Sequence, residues 1–255
     1  MRSILRGSLL RARVALAFTA IALLGGAPSV LAGEGGNLLS AEVHLDDRAS
    51  LQRGASLFMN YCSGCHSLQY LRYSRLGDDL GLSEAEVSNN LNFTGAKYGD
   101  KIRVAMSPTD ATAWFGKAPP DLSLEARSRG ADWIYTYLKS FYVDESRPMG
   151  WNNKLLPGAS MPHVLWQLQG IQQPVLGAAK QGGEAPVESF KLAQKGSQTE
   201  AEYDQTARDI AAFLQYAGEP AALQRESMGV WVVLFLGVFT FLAWLLKHEY
   251  WQDVH

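Results

Sequence analysis

Cys62-Ser63-Gly64-Cys65-His66 is the stretch of this chain whose residue types and spacing specify a chemistry most sharply. Two thiols three positions apart can reach the two vinyl groups on one edge of a porphyrin. The histidine directly after the second thiol is then held against one face of the ring, where its imidazole binds iron. This is the attachment spacing of a c-type haem. Both cysteines of the chain lie in the motif, so no disulfide framework remains to be built. A redox dithiol would follow a strand in a βαβ pattern, which is not visible here. A structural zinc site usually needs four ligands, and His44, His163, His248 and His255 are scattered without ligand spacing. One haem c, covalent through Cys62 and Cys65 with His66 on the iron, is the expectation.

A thioether in the other axial position would give a site that moves electrons without binding gas. Met59 lies one turn before Cys62, too near to reach the opposite face of the ring, and Met228 belongs to an apolar run at the chain end. Met106, Met149 and Met161 remain, with His163 as a further alternative. Met161 sits in Pro157-Gly158-Ala159-Ser160-Met161-Pro162, where small residues let the backbone approach a ring and Pro162 restricts Met161 to an extended conformation. Met106 and Met149 also have prolines close by, and spacing leaves all of these candidates open. In Ala118-Pro119-Pro120-Asp121-Leu122, two prolines stiffen a loop suited to form a pocket wall. Arg127 and Arg129 follow, and a guanidinium pairs well with carboxylates such as the haem propionates.

Helices must present these groups. Leu51, Ala55, Phe58 and Cys62 recur near helical spacing and predict a helix from about Asp47 to Tyr61, with the motif at its C-terminal end. Leu76–Asn92 reads as a loop with one short helix starting at Ser83, where Ser83 and Glu86 make a capping box. Ile134, Tyr137, Leu138 and Phe141 predict a helix from about Ala131 to Tyr142. Gly170–Ser197 is rich in Gly, Gln and Pro and reads as a long surface insertion carrying a hairpin. Thr199 with Glu202 forms a second capping box. The helix it opens holds Tyr203, Ala207, Ile210, Ala211 and Leu214 on one face and is closed by Gly218 and Pro220.

Both ends carry membrane signals. Arg2, Arg6, Arg11 and Arg13, an apolar run from Val14 to Leu24, and a small residue at Ala32 describe a signal peptide over residues 1–32. The alternative, an uncleaved anchor, would want a run nearer ~20 residues. Without those four arginines the chain keeps 19 basic against 25 acidic residues, a net charge of −6. That balance argues against nucleic acid, which favours a basic stripe. Met228–Leu246 is 19 residues without a charge, with Trp231 and Trp244 near its ends, long enough to cross a hydrocarbon core of ~30 Å. A buried core helix is the alternative. Export followed by a stop-transfer helix places residues 33–227 outside the cytoplasmic membrane, 228–246 across it and the tail 247–255 inside.

Phe58-Met59-Asn60-Tyr61 running into the haem motif, Pro119-Pro120-Asp121-Leu122-Ser123 with Arg127, the Pro157–Pro162 loop, and Ala207–Leu214 with Glu219-Pro220 before an anchor together resemble the cytochrome c1 family. The resemblance covers about Asp47 to Leu246. The chain differs from the family pattern in placing Pro162-His163 directly after Met161. The resemblance implies an all-α, class I cytochrome c-like haem domain with loop insertions and one C-terminal transmembrane helix. It implies Met161 as the second iron ligand, Arg127 as a propionate partner and Pro119 as part of the pocket wall. It further implies the haem subunit of a bacterial inner-membrane bc1 complex, with its haem domain in the periplasm and no independent catalytic site. The partners it implies are cytochrome b, the Rieske iron–sulfur protein as electron donor and a soluble cytochrome c or equivalent carrier as acceptor. Asp78, Asp79, Glu84 and Glu86 are candidates for docking a basic carrier. Two rivals stand: an anchored monohaem cytochrome serving another oxidase or dehydrogenase, and an open-site haem sensor or enzyme.

Overall fold

A computed structural model describes residues 38–178 and 185–252 of the chain. The proposed signal peptide and the last three residues of the tail lie outside the described residues. The elements run α1 (Arg48–Tyr61), β1 (Leu68–Arg72), α2 (Tyr73–Leu80), α3 (Glu84–Asn90), β2 (Lys101–Ile102), α4 (Pro108–Phe115), α5 (Glu125–Arg129), α6 (Ala131–Lys139), β3 (Phe141–Val143), β4 (Trp151–Asn153), α7 (Trp166–Gln169), β5 (Gly170–Leu176), β6 (Val187–Lys195), α8 (Glu200–Gly218) and α9 (Ala222–Tyr250).

The packing unit is the crossing of α1 with α8. Leu51, Ala55 and Phe58 on α1 and Ala207, Ile210, Ala211, Phe213 and Leu214 on α8 are buried in one core cluster. Phe58 and Phe213 meet with ring centroids 5.6 Å apart. The helices approach so closely that a Cβ on Gly54 would lie 2.1 Å from the Asp209 carbonyl oxygen. The Asp209 side chain is itself buried at this crossing. It accepts from the Ser50 hydroxyl at 2.6 Å and from the Arg53 guanidinium at 2.7 and 3.0 Å. A buried carboxylate supplied with that many donors costs far less than an unpaired one. On the other side of α8 the Tyr203 hydroxyl donates to the Leu138 carbonyl at the end of α6, 2.8 Å away.

The helix starts follow the local chemistry. Asp47 caps α1 through the Ser50 amide, and full capping boxes open α3 at Ser83/Glu86 and α8 at Thr199/Glu202. Two expected element boundaries are corrected. Tyr73, Leu76 and Leu80 fall on one buried face, so α2 forms where a loop was expected, and Gly81 ends it at φ 68°. The helix expected to reach Tyr142 stops at Lys139. The Ser140 hydroxyl turns back to the Thr136 carbonyl, and Phe141-Tyr142-Val143 pairs instead with Trp151–Asn153 as a strand.

The all-α expectation is therefore corrected in part: about half of the described residues are helical, and they include three two-stranded antiparallel sheets, β1–β2, β3–β4 and β5–β6. Aromatic and β-branched residues in β3 and the exposed insertion that forms β5–β6 favour extended pairing over helix. In the insertion, Gly170–Leu176 pairs with Val187–Lys195.

α9 is 29 residues long, about 43 Å at 1.5 Å per residue. Its Met228–Tyr250 portion is long and apolar enough to cross a bilayer. Its large side chains, Trp231, Phe235 and Phe239 among them, are exposed rather than packed on the domain. A helix apolar all round and unburied in its own domain is suited to lipid, which disfavours the buried-core alternative.

Candidate haem site

α1 ends at the motif. Cys62 is its C-cap, bonding back to the Phe58 carbonyl, and the His66 amide closes a turn onto the Cys62 carbonyl at 2.9 Å. Both cysteines are free thiols. Burial pushes the Cys62 thiol up to about 12 and raises Cys65 as well. A Cys62 thiol held in this way is a poor thiolate at neutral pH, which disfavours disulfide exchange. Among the described residues no group of three or more His, Cys, Asp and Glu is placed to hold a metal ion.

The His66 ring is oriented by the proline loop. Its Nδ1 lies 2.7 Å from the Pro120 carbonyl oxygen. A carbonyl only accepts, so Nδ1 carries the proton and Nε2 keeps its lone pair for a metal. Burial lowers the His66 pKa, which favours the neutral, ligating form. The loop is fixed against the motif by further bonds. The Leu122 amide reaches the Ser67 carbonyl at 2.9 Å, and Asp121 accepts from the Gln69 and Ser123 amides at 2.9 Å.

Cys62, Cys65 and His66 open onto a cavity of about 270 Å³ that Pro119, Pro120 and Leu122 also line. The far part of its lining comes from Trp133, Ile134, Tyr137 and Leu138 on α6 and from Leu156 and Ala159–Pro162, with Met161 among them. Ile210 and Leu214 of α8 complete an almost wholly apolar surface. Of the ligand alternatives, only Met161 is among the residues that line it. Met149 is 38% exposed, and Met106 is half-buried away from the cavity. His163 is buried between Phe141, stacked at 5.0 Å, and Trp151, edge-on at 5.3 Å.

The structure thus brings together Cys62, Cys65, His66, Pro119 and Met161, but not Arg127. Arg127 is largely exposed and forms an ion pair with Glu219 at 3.2 Å. Arg129 lines the cavity instead, bonded to Glu125 at 2.9 Å and lying 4.4 Å over the Trp133 ring. Lys117 and Glu125 are the other charged residues there. Spacing gives no hint of Lys117, and Trp133 falls outside the Ile134, Tyr137, Leu138 and Phe141 face that predicts its helix. Of the acidic docking candidates, Asp79 is engaged by Arg75 and the Tyr216 hydroxyl, and Glu86 caps α3. Asp78 and Glu84 remain exposed.

The donor set fits a haem c: two unpaired thiols, an imidazole whose free nitrogen is Nε2, and a thioether around one apolar cavity. The model of the cytochrome C1 family matches residues 40–173 and 186–254. The chain is 54% identical over 232 residues to a cytochrome c1 of Allochromatium vinosum, covering 90% of this chain and 95% of that one. It is 42% identical over 225 residues to a protein of Nitrosomonas europaea called ammonia monooxygenase gamma subunit, covering 88% and 91%. It is 31% identical over 228 residues to a cytochrome c1 of Rhodospirillum rubrum, covering 82% and 83%.

Proposed function

The chain belongs to the cytochrome c1 family, and from that premise we propose that it is the haem subunit of a bc1 complex. It takes one electron at a time from the Rieske iron–sulfur protein and passes it to a soluble cytochrome c or equivalent carrier, beside cytochrome b in a bacterial inner membrane. The supporting observation is the convergence of both thiols, the Pro120-anchored imidazole and Met161 on one apolar cavity.

A bound haem supplies the one-electron iron couple. The residues do the rest. Cys62 and Cys65 would hold the group covalently through two thioether links, which would keep it from dissociating. His66 would hold the iron through Nε2, its ring kept in register by the Pro120 carbonyl. Met161 would supply a thioether, a soft ligand that favours the ferrous state. The apolar lining excludes water, which also disfavours the more highly charged ferric form. Arg129, which lines the cavity, would be the arginine to pair with a propionate. Transfer is outer-sphere and calls for no general acid, base or nucleophile. Signal-directed export followed by the α9 span puts the haem domain on the periplasmic side.

A redox titration tests Met161 as a ligand: Met161→Lys lowers the midpoint potential strongly, and an unchanged midpoint rules that ligand out. Purification from solubilised membranes tests the assembly. Co-purifying b-type cytochrome and Rieske protein support the bc1 reading. The 42% identity to a protein carrying a monooxygenase subunit's name favours one second reading, an anchored monohaem cytochrome serving another oxidising enzyme. Recovery with such an enzyme, and without a b-type cytochrome, would establish it.

A further inference from the structure

Two adjacent asparagines on β4 hold the Met161 loop from outside the cavity. Asn153 has no exposed surface and Asn152 is 5% exposed. The Asn153 carboxamide oxygen accepts from the Leu155 amide at 2.9 Å and the Leu156 amide at 3.2 Å, while its Nδ2 donates to the Tyr137 carbonyl at 2.8 Å. Tyr137 and Leu156 both line the cavity, so this one side chain ties the α6 wall to the loop that carries Met161. The Asn152 oxygen accepts from the Gly158 amide at 2.9 Å, three residues before Met161, and its Nδ2 donates to Asp144 at 2.8 Å. Gly158 stands at φ 77°, a conformation only glycine adopts easily, with the Arg147 guanidinium packed 3.6 Å from where a Cβ would be. Pro157 and Pro162 remove two backbone donors from the segment, so little strand or helix bonding is available to fix it.

We propose that Asn153, seconded by Asn152, is a positioning residue for the sixth iron ligand: its three hydrogen bonds fix how far the Met161 thioether stands from the iron. It does not touch the haem. A loop of this length without regular structure keeps its side chains within a fraction of an ångström only when its amides are satisfied by fixed partners. An iron–thioether bond is weak enough for such a displacement to break it. This inference rests on Met161 as the ligand.

The test uses the full-length, haem-loaded protein solubilised from membranes. Asn153→Ala keeps both thioether links, judged by haem staining after denaturation. It loses most of the weak near-infrared ferric band that reports thioether ligation, binds carbon monoxide when reduced, and has a lower midpoint. Asn153→Ala with the native band, midpoint and carbon monoxide inertness overturns the proposal. If that variant does not accumulate, Asn152→Ala, which frees the Gly158 amide, is expected to show the same changes to a smaller degree. A native spectrum there also overturns the proposal. Loss of both variants beside normal accumulation of Tyr216→Phe assigns the asparagines a purely structural role and overturns it too. Tyr216→Phe removes a hydrogen bond to Asp79 that does not reach the cavity, and it leaves band and midpoint unchanged. An altered midpoint in that control would mean that instability alone perturbs the ligand, again against the proposal. Met161→Ala separates the two readings. If it leaves the band and midpoint native, the ligand assignment itself fails. If it abolishes the band while Asn153→Ala does not, only the positioning role fails.

Discussion

Gly54→Ala should destabilise the protein although alanine is the better helix former. Gly54 lies mid-way along α1, where an exchange to alanine is worth about 1 kcal/mol in an isolated helix. Here the added Cβ would stand 2.1 Å from the Asp209 carbonyl oxygen and 2.7 Å from the Phe213 Cβ. Neither atom can rotate away, because one is backbone and the other is fixed to it. The two helices must separate by about 1 Å to reach van der Waals contact, and overpacking of this kind costs about 1–3 kcal/mol. The same separation stretches the buried 2.6 Å bond between Ser50 and Asp209, at about 1 kcal/mol more. Against the propensity gain the net loss is about 2 kcal/mol. At roughly 2–4 °C per kcal/mol for a domain of this size, the midpoint falls by about 4–8 °C. Thermal unfolding of the haem-loaded protein in detergent, followed by far-ultraviolet circular dichroism, measures it. Gly99→Ala is the matched control, since nothing lies within 4 Å of its added Cβ. A Gly54→Ala midpoint at or above the parent value would show that α1 and α8 do not cross at this distance, and the packing account would fall with it.

The two arginines should separate by potential. Arg129→Ala removes a cation from the cavity rim and leaves Glu125 behind, which penalises the reduced state by about 1 kcal/mol, a fall on the order of 40 mV for a one-electron couple. Arg127→Ala loses only an exposed pair with Glu219, worth about 0–1 kcal/mol of stability, and the midpoint stays put. Equal shifts in a potentiometric titration would refute the distinction. Asp144 accepts from Ser146 and Asn152 and faces Arg147, and these hold its carboxyl below the usual range. A depressed folded-state pKa stabilises the fold above the unfolded value near 3.9 and is lost as pH falls through the folded one. The stability gap between the parent and Asp144→Asn should therefore close below about pH 4, and a gap that persists in acid-unfolding curves would contradict this. Thr199→Ala removes the capping box of α8 and should cost about 0.5–2 kcal/mol in chemical denaturation. No measurable loss would mean that α8 starts elsewhere.

What was legible in the amino-acid order was local. The haem motif is five consecutive residues, and its thiols and imidazole fall at one place because the turn after α1 spans no more than that. The capping boxes at Ser83/Glu86 and Thr199/Glu202 act across three residues, and the apolar run in α9 needs no partner to be recognised. The insertion after Gly170 could be expected to hold a hairpin from its local content of Gly, Gln and Pro. Tertiary structure decided whatever depends on distant partners. The end of α6 at Lys139 was settled by strand pairing with Trp151–Asn153, ten residues onward. Arg127 and Arg129 look equivalent in sequence, yet two steps along a helix turn through about 200°, so one meets Glu219 and the other the cavity. Met161 could be chosen among the methionines by resemblance, though spacing left Met106, Met149 and His163 open, but its company on the cavity wall depends on Asn152 and Asn153. Those are ordinary polar residues in the sequence, and they acquire a role only because folding carries the loop amides and the Tyr137 carbonyl within 3.2 Å of their side chains.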